Sequence, residues 1–300
     1  MRVRPRFLKR SLVTNVKLYK YRPLNEYTEE VIFNSRIYFP TIDRLNDPCE
    51  LIHPLEFKTD IWDAEFQEAS RALDAATRCA SLQKGEDISM KEARWRLKNP
   101  QSPFPSDPRF PRRDACEELY NELELHEALR FHVMNKAEDC ATGHMTIQDA
   151  VRDINAKLKA LGILSLTECP DSQLMFAHYA AEHTGIVLEF ESDNDPILST
   201  ARPMEYVTSR PRISAKNVVS AIYMKSADWT YEREHRVLQR KGNAVYSFTP
   251  HALTGVIFGC RVLSERIDAI AHRLGDTGRE ISLYQAVSDP GSFSLKVRTL

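Results

Sequence analysis

Glycine is scarce in this chain, which has ten glycines among 300 residues. None of them forms the Gly-x-Gly-x-x-Gly turn of a Rossmann domain, the Gly-x-x-x-x-Gly-Lys loop that cradles phosphates, or the Gly-x-Ser-x-Gly turn of a serine hydrolase. The commonest nucleotide-binding loops and the α/β-hydrolase nucleophile are therefore excluded. Folds that bind dinucleotides without such loops are not excluded.

Paired cysteines, long apolar runs and a net charge are also missing. The six cysteines contain no Cys-x-x-Cys pair, which argues against a disulfide framework or a zinc knuckle and predicts free thiols in a reducing cytosol. No run reaches the roughly 18 to 20 apolar residues of a membrane-spanning helix, and no apolar signal segment opens the chain. The formal charge of −1 creates no overall field toward nucleic acid. Together these absences predict a globular, cytoplasmic protein without a membrane partner.

The first 22 residues form a basic segment with eight Lys or Arg and no acid. Such a segment suits a solvated, partly disordered arm, although it could also hold phosphates or act as a weak organelle-like leader. We expect residues 1–15 to be this arm and residues 16–300 to form one α+β domain.

Strand and helix patterns alternate on both sides of a long helical stretch. Val16–Tyr21 and Ile37–Phe39 have strand character, and Asn25–Phe33 between them has the acids of a helix start. After residue 162, short strands alternate with helices predicted over 171–182 and 264–274. This pattern predicts an α+β fold with a mostly antiparallel central sheet.

The stretch from about residue 60 to 161 is rich in Ala, Glu, Lys, Arg and Leu, which predicts a helical insertion. Its helices are expected from Asp60 to about Leu82 and from Arg113 to Ala137. Thr146 and Asp149 resemble a capping box, which predicts a third helix that ends near Gly162. A surface of this insertion could bind a protein partner.

The most informative motif is Trp229–Leu238, in which Glu232, Glu234 and Arg236 alternate. In a strand these three side chains point to one face, and the two carboxylates lie roughly 6.5 to 7 Å apart. Two carboxylates so close raise the pKa of one of them unless a cation intervenes, and Arg236 is the next residue on that face. In a helix, Glu232 and Arg236 would only form an i, i+4 surface pair. We predict a strand whose charged face is either solvated or functional.

The first strand and the loop after the second supply further candidates. Tyr21 could stack on a ring and Arg22 could hold a phosphate or carboxylate, although alternating aromatics in a strand also suit a core. Asp47 and Glu50 belong to an Asn-Asp-Pro turn whose side chains commonly just form the turn.

The helix predicted after Pro170 carries Met175, Phe176 and Tyr179 on one face, as in a core stripe. Tyr179 differs from its neighbours because a buried hydroxyl needs a partner, so this residue could lie at the edge of a pocket. His178 and His183 are five residues apart, which does not match the spacing of a helical zinc pair.

The order of several short motifs resembles bacterial domain-of-unknown-function family 2971. The match spans residues 18 to 260, with the long helical segment as an insertion, and the family name supplies no established reaction. The motifs that carry the resemblance are Leu18-Tyr-Lys-Tyr-Arg22, Ile37-Tyr-Phe39, Leu45-Asn-Asp-Pro-Cys-Glu50, Leu164-Ser-Leu-Thr-Glu168, Met175-Phe-Ala-His-Tyr179, Gly185-Ile-Val-Leu-Glu-Phe190 and Trp229-Thr-Tyr-Glu-Arg-Glu-His-Arg236.

A looser resemblance is to ADP-ribosyltransferase-like folds, in which a first-strand Arg or His, a middle aromatic or Ser, and a late Glu-x-Glu strand surround NAD. The resemblance implies Arg22 as the first-strand cation, Ser165 or Tyr179 as the middle element, and Glu232 with Glu234 as the acidic strand. The chain departs from that pattern because it lacks a Ser-Thr-Ser triplet and because proline directly follows Arg22.

This resemblance implies an enzyme that cleaves the nicotinamide glycosidic bond of NAD, its substrate, and transfers ADP-ribose to a protein or nucleic-acid acceptor, or to water. Glu234 would stabilise the oxocarbenium-like ribose, and Glu232 would orient the acceptor or act as a base. Tyr179 or Tyr21 would stack on nicotinamide, and Arg22 would pair with the pyrophosphate, with no metal required. A bacterial toxin or phage-defence setting follows only by analogy.

Two other functions remain open. In the first, a Mg²⁺-dependent nuclease or hydrolase, Asp47, Glu50, Glu232 and Glu234 would gather the cation, and the basic N-terminus would hold phosphates. In the second, a non-catalytic sensor or partner-binding module, the charged residues would be a structural network. Besides the residues with assigned roles, the expected pocket contains Asp47, Glu50, His178 and Arg236.

Overall fold

The computed structural model describes four stretches of the chain, residues 17–47, 125–141, 143–209 and 218–300. They belong to two compact units. The first unit is drawn from residues 1–41, 162–206 and 225–300, and the second from residues 42–161 and 207–224. The predicted basic arm, Glu50 and the helix expected from Asp60 lie outside the described residues.

The described residues form twelve strands and six α-helices. The strands are β1 (Lys17–Arg22), β2 (Arg36–Phe39), β3 (Gly162–Thr167), β4 (Ile186–Glu191), β5 (Arg202–Pro203), β6 (Glu205–Val207), β7 (Met224–Ser226), β8 (Glu234–Gln239), β9 (Ala244–Ser247), β10 (Leu253–Phe258), β11 (Ser282–Ser288) and β12 (Leu295–Thr299). The helices are α1 (Glu26–Asn34), α2 (Leu125–Ala141), α3 (Ile147–Lys159), α4 (Gln173–Tyr179), α5 (Val218–Ala221) and α6 (Ser264–Thr277).

An eight-stranded sheet forms the body of the first unit, in the order β12-β11-β10-β4-β1-β3-β8-β5. Its neighbouring strands are antiparallel except for the parallel pair β10 and β11. Two small two-stranded sheets pair β2 with β9, which are antiparallel, and β6 with β7. The predicted α+β class with a mostly antiparallel central sheet is therefore confirmed.

One face of the large sheet is apolar and holds the main core. Because side chains alternate along a strand, every second residue of β1, β3, β4 and β8 points to this face. Helices α1 and α6 supply the matching apolar side chains. The core they form includes Leu18, Leu164, Leu166, Leu188, Phe190 and Val237 from the strands, with Val31, Ile32, Ile267 and Ile270 from the helices.

The opposite face has a smaller apolar cluster beneath α4. Met175 and Phe176 of α4 pack against Tyr21, Val187 and Ile257 of the sheet. The Tyr21 and Phe176 rings meet edge to face, with their centroids 5.0 Å apart. Polar and half-buried aromatic side chains flank this cluster on the same face, and they include the predicted residues Tyr179, Glu234 and Arg236.

Side-chain hydrogen bonds cap the N-terminal ends of two predicted helices. The side chain of Asn25 accepts a hydrogen bond from the Thr28 amide at 3.1 Å, and Thr146 accepts one from the Asp149 amide, also at 3.1 Å. The second contact confirms the predicted helix start, with Thr146 as the N-cap residue. Helix α6 continues past the predicted stop at Gly275, because the left-handed residue at its end is Gly278 (φ 65°).

In the second unit, α2 and α3 contribute buried apolar side chains, and a salt bridge of 2.6 Å joins Lys136 to Asp153. The helix predicted to end at Ala137 corresponds to α2, whose described part runs to Ala141. None of the described helices combines the length and the apolar character needed to cross a membrane.

Candidate functional site

The informative motif is not one strand. Residues Ala227–Glu232 form a 3-10 turn, Arg233 adopts a left-handed conformation (φ 44°), and β8 begins at Glu234. The predicted strand is wrong before Glu234 because Ser226 caps the turn, accepting a hydrogen bond from the Asp228 amide at 3.4 Å. Glu232 therefore reaches Glu234 from a turn beside the strand.

Two carboxylates and two cations nonetheless form one buried network. Lys225 Nζ lies 2.6 Å from Glu232 Oε2 and 3.0 Å from Glu234 Oε2. Arg236 Nε lies 2.8 Å from Glu234 Oε1. Each of the four side chains is at most 5% exposed. Charges so deeply removed from water persist only when they are paired and hydrogen-bonded, as they are here.

Three hydroxyl groups from other elements complete the network. Tyr179, the last residue of α4, donates a hydrogen bond to Glu232 Oε1. Thr167 at the end of β3 donates to the backbone oxygen of Glu232. The Tyr206 hydroxyl accepts a hydrogen bond from the Glu234 amide at 2.7 Å. Because Tyr179 is only half-buried, it connects the buried carboxylate with the surface.

Burial and charge set the protonation of the network in opposite directions. Burial raises the pKa of Glu234, and Lys225 and the Ser165 hydroxyl oppose that rise. Burial alone would lower the pKa of Lys225, but Glu234 and Glu232 outweigh it, so this pKa is raised. Burial and the bond to Glu232 also raise the pKa of Tyr179. Lysine and tyrosine thus keep their protons at neutral pH.

Aromatic side chains lie outside the charged network. Lys225 Nζ is 4.8 Å from the centre of the Trp229 ring, a cation–π contact, and the Trp229 and Tyr231 centroids are 6.1 Å apart. The Tyr231 hydroxyl lies 3.2 Å from Nδ1 of the exposed His178. These partly exposed rings could stack against a flat ligand.

The large sheet opens beside this network. Six residue pairs join β1 to β4 and six join β3 to β8, whereas the register between β1 and β3 is the single pair Tyr19 and Thr167. Two other groups bond the free side of β3. Lys20 Nζ donates to the Ser165 oxygen at 2.7 Å, and the Ile163 amide donates to the Pro40 oxygen at 2.9 Å. We call this opening between β1 and β3 the seam.

The two cofactor-binding candidates on β1 do not join the network. Arg22 lies on the apolar face, where its Nε donates to Thr28 Oγ1 at 3.2 Å. Tyr21 lies on the polar face, but its hydroxyl donates to the Cys169 oxygen at 2.9 Å and accepts from the Ser172 amide at 3.0 Å. Tyr21 therefore anchors the loop before α4. Proline after Arg22 does end the strand.

Of the remaining predicted residues, Ser165 and Arg236 face each other on β3 and β8 beside Glu234. Asp47 is buried and belongs to the second unit, and Glu50 lies outside the described residues. Within residues 17–47, 125–141, 143–209 and 218–300, no group of three or more His, Cys, Asp or Glu side chains is arranged to hold a metal ion.

Sequence reasoning missed Lys225, which joins both glutamates, and the hydroxyl partners Thr167 and Tyr206. A signal for Lys225 existed, because it follows the largely apolar stretch Ala221–Met224 and precedes the capping Ser226. A lysine at such a position either reaches solvent or enters the protein to meet a carboxylate.

Comparisons with known proteins supply no relative, since no family model, curated protein or solved structure matches the chain. The residues of the site itself are therefore the basis for a function.

Proposed function

We propose that this protein is an ADP-ribosyltransferase-like enzyme that cleaves the nicotinamide glycosidic bond of NAD and transfers ADP-ribose to a macromolecular acceptor or to water. The observation that carries the proposal is the series of contacts from half-exposed Tyr179 through Glu232 and Lys225 to Glu234. It brings a buried carboxylate within one hydroxyl group of the surface, close to where an acid–base residue must reach its substrate.

The energetics of the network support a chemical role. Replacing a buried ion pair by apolar side chains of similar volume is often neutral or stabilising, so such a pair adds little to stability by itself. This protein keeps four charged side chains next to an apolar cluster that could have been extended. In a catalytic site, those carboxylates would stabilise the positive charge that develops on the substrate in the transition state.

The surroundings also suit a nucleotide with a flat ring. The seam separates β1 from β3 on the side of the network, where the two strands share the single pair Tyr19 and Thr167. The rings of Tyr231 and Trp229 offer stacking surfaces next to Tyr179. Nicotinamide is a flat cationic ring that such surfaces would hold.

The reaction assigns different tasks to the two glutamates. As the bond between nicotinamide and ribose breaks, its electron pair moves onto the nicotinamide ring, and positive charge develops on the ribose. Glu232 stabilises that charge and then accepts the proton of the attacking hydroxyl or water, because its partner Tyr179 reaches the surface. Glu234 is held by Lys225 and Arg236 and positions the lysine. The resemblance implied the opposite division of tasks.

A non-catalytic sensor or binding module is the second candidate. The observation that favours it is that every charged side chain of the network already has a partner within the protein. In that case the network would serve only to fix Tyr179, Glu232 and β8 relative to one another. The two candidates differ in whether Glu232 is needed for turnover.

Nicotinamide release from NAD by the purified chain tests the proposal, together with mass analysis of candidate protein and nucleic-acid acceptors. We expect Glu232→Gln to lower kcat by about 10²-fold or more, the usual contribution of one acid–base group. The amide can still accept from Tyr179 and Lys225 keeps Glu234, so the melting temperature should fall less than in a variant that removes Lys225. Glu205→Gln, at an exposed position of β6, is the matched control.

A different outcome would favour the binding module. It would be the absence of both nicotinamide release and any ADP-ribosyl adduct from the wild type, together with a clear loss of stability in Glu232→Gln.

A further inference from the structure

A row of residues crosses the polar face of the sheet and connects the network to a second carboxylate. Glu234 lies opposite Thr167, Thr167 opposite Tyr19, Tyr19 opposite Glu189, and Glu189 opposite Gly255. Residues paired in this way point to the same face. With neighbouring strands about 4.8 Å apart, the three steps from Glu234 to Glu189 span roughly 14 Å.

Glu189 is a buried carboxylate with three donors of unequal mobility. Its Oε1 lies 2.9 Å from both Lys17 Nζ and Thr254 Oγ1, and its Oε2 accepts from the Tyr19 hydroxyl at 3.3 Å. Thr254 and Tyr19 are held in central strands. The Lys17 side chain is 44% exposed, whereas that of Glu189 is 8% exposed. Lysine is therefore the one donor of the three that can leave without disturbing the sheet.

Gly255 makes room for an aromatic ring beside this carboxylate. A Cβ atom at this position would lie 3.1 Å from Cε2 of Tyr284 and 3.3 Å from Glu189 Oε1. Glycine thus allows Tyr284 to pack over β10 next to Glu189. The rings of Tyr284 and Tyr19 are both half-buried, so each keeps part of its surface accessible. A carboxylate, a mobile ammonium group and an aromatic surface lie together here.

We infer that Glu189, Lys17 and Tyr284 form a second subsite, which binds the ribose 5′-phosphate and base of a nucleotide. The choice of ligand rests on the proposed function, because the subsite would hold the adenylate half of NAD while the network acts on the nicotinamide half. The separation of roughly 14 Å along the row is too long for one sugar and suits a ligand with two nucleoside ends.

The chemistry of the three groups fits this ligand. Neighbouring ribose hydroxyls donate two hydrogen bonds to a carboxylate and would take the place of Lys17 on Glu189. The released ammonium group would then pair with the 5′-phosphate, which lysine binds as a point charge. The base would stack on Tyr284, as planar rings do on aromatic side chains. Lys17 thus exchanges one anionic partner, the Glu189 carboxylate, for another, the phosphate.

Calorimetric titration of the full chain with AMP and with adenosine tests the subsite. We expect Glu189→Gln to weaken AMP binding about tenfold or more, because hydroxyl recognition by a buried group is lost. Lys17→Met should reduce the affinity for AMP to that for adenosine in the same variant, because the phosphate then meets no ammonium group. The Lys17 side chain is 44% exposed, so this variant keeps the test valid even if Glu189→Gln unfolds. Glu265→Gln, exposed on α6, is the control.

The outcomes separate this inference from the proposed function. The absence of AMP binding by the wild type, or equal AMP affinity in wild type and Lys17→Met, overturns the subsite. NAD cleavage with an unchanged KM in both variants overturns the subsite and leaves the proposed function standing. AMP binding that depends on Glu189 and Lys17, without any NAD turnover, supports the subsite and removes the proposed function.

Discussion

The two faces of the central sheet are made by the same strands but from different kinds of side chain. On one face, Leu18, Leu164 and Phe190 pack against α1 and α6 in a continuous apolar core. On the other, the apolar cluster under α4 is smaller, and Glu234 and Glu189 are buried on either side of the seam. Because the side-chain period of a strand is two residues, one strand can serve both faces independently.

This comparison separates stability from chemistry within single strands. In β4, Leu188 and Phe190 belong to the apolar core, while Glu189 between them faces the polar side. In β8, Val237 belongs to the core, while Glu234 and Arg236 face the network. Changes on the apolar face should therefore alter stability without altering turnover, and changes on the polar face can alter either.

The largest effect is expected at Lys225 of the network. Lys225→Met leaves Glu232 without a cation and Glu234 with Arg236 alone, and removing one partner of a buried ion pair costs about 3 to 5 kcal/mol. We expect the free energy of unfolding, measured by urea denaturation at neutral pH, to fall by this amount.

The double variant Lys225→Met with Glu232→Gln provides the control for this prediction. It removes the uncompensated charge of Glu232 while Glu234 keeps Arg236, so it should be more stable than Lys225→Met alone. Equal instability of the single and double variants would mean that lysine acts through packing and not through its charge.

The second prediction concerns the apolar face. Phe190 is fully buried and its ring meets Phe248 with centroids 5.5 Å apart. Phe190→Ala should lower the free energy of unfolding by about 3 to 4 kcal/mol, since it removes buried apolar surface and leaves a cavity. Any nicotinamide release per folded molecule should remain at the wild-type level.

Tyr27→Ala is the control for the apolar face, because Tyr27 is 66% exposed and its truncation should barely change stability. A selective loss of turnover in folded Phe190→Ala would contradict the separation of the two faces.

The smallest effect is a pH dependence that arises at the seam. Burial, and next the neighbouring Arg22, lower the pKa of Lys20 from 10.5 to about 8. The unfolded chain therefore binds more protons than the folded chain between these values. The free energy of unfolding therefore increases as the pH rises from about 8 to 10.5, where the folded chain has released the Lys20 proton and the unfolded chain has not. This added stability is lost as the pH falls through about 8.

Urea denaturation of wild type and Lys20→Met over this pH range tests the seam. Relative to the variant, the wild type should gain stability as the pH rises from about 8 to about 10. Lys241→Met, which changes an exposed lysine, should keep the wild-type pH dependence. Parallel curves for wild type and Lys20→Met would show that Lys20 does not titrate between the strands.

Much of the fold was predictable because it depends on local patterns. The strands at β1, β2, β4 and β10 follow from short runs of apolar or aromatic residues, and the start of α3 follows from the Thr146 cap. The 3-10 turn before β8 was not predictable from alternation, since Glu232 and Glu234 keep a spacing of two in either conformation. Only the Ser226 cap distinguishes the turn from a strand.

The site was predictable only in part, because its members come from distant segments. Glu232, Glu234, Arg236 and Tyr179 were identified by their local patterns and do come together. Lys225 was missed because its role depends on burial, which a single polar residue in a short segment does not reveal. Arg22 was expected in the same pocket but bonds Thr28 on the apolar face, since a terminal strand residue can face either layer until the register is known.

The seam gives the sheet interior edges in addition to the outer ones at β12 and β5. Open edges invite other strands to pair with them, and proteins commonly protect outer edges with lysine. Lys20 applies the same protection inside the sheet, where its ammonium group binds the Ser165 oxygen. A protein without this lysine would lose the bond that occupies the Ser165 oxygen at this interior edge.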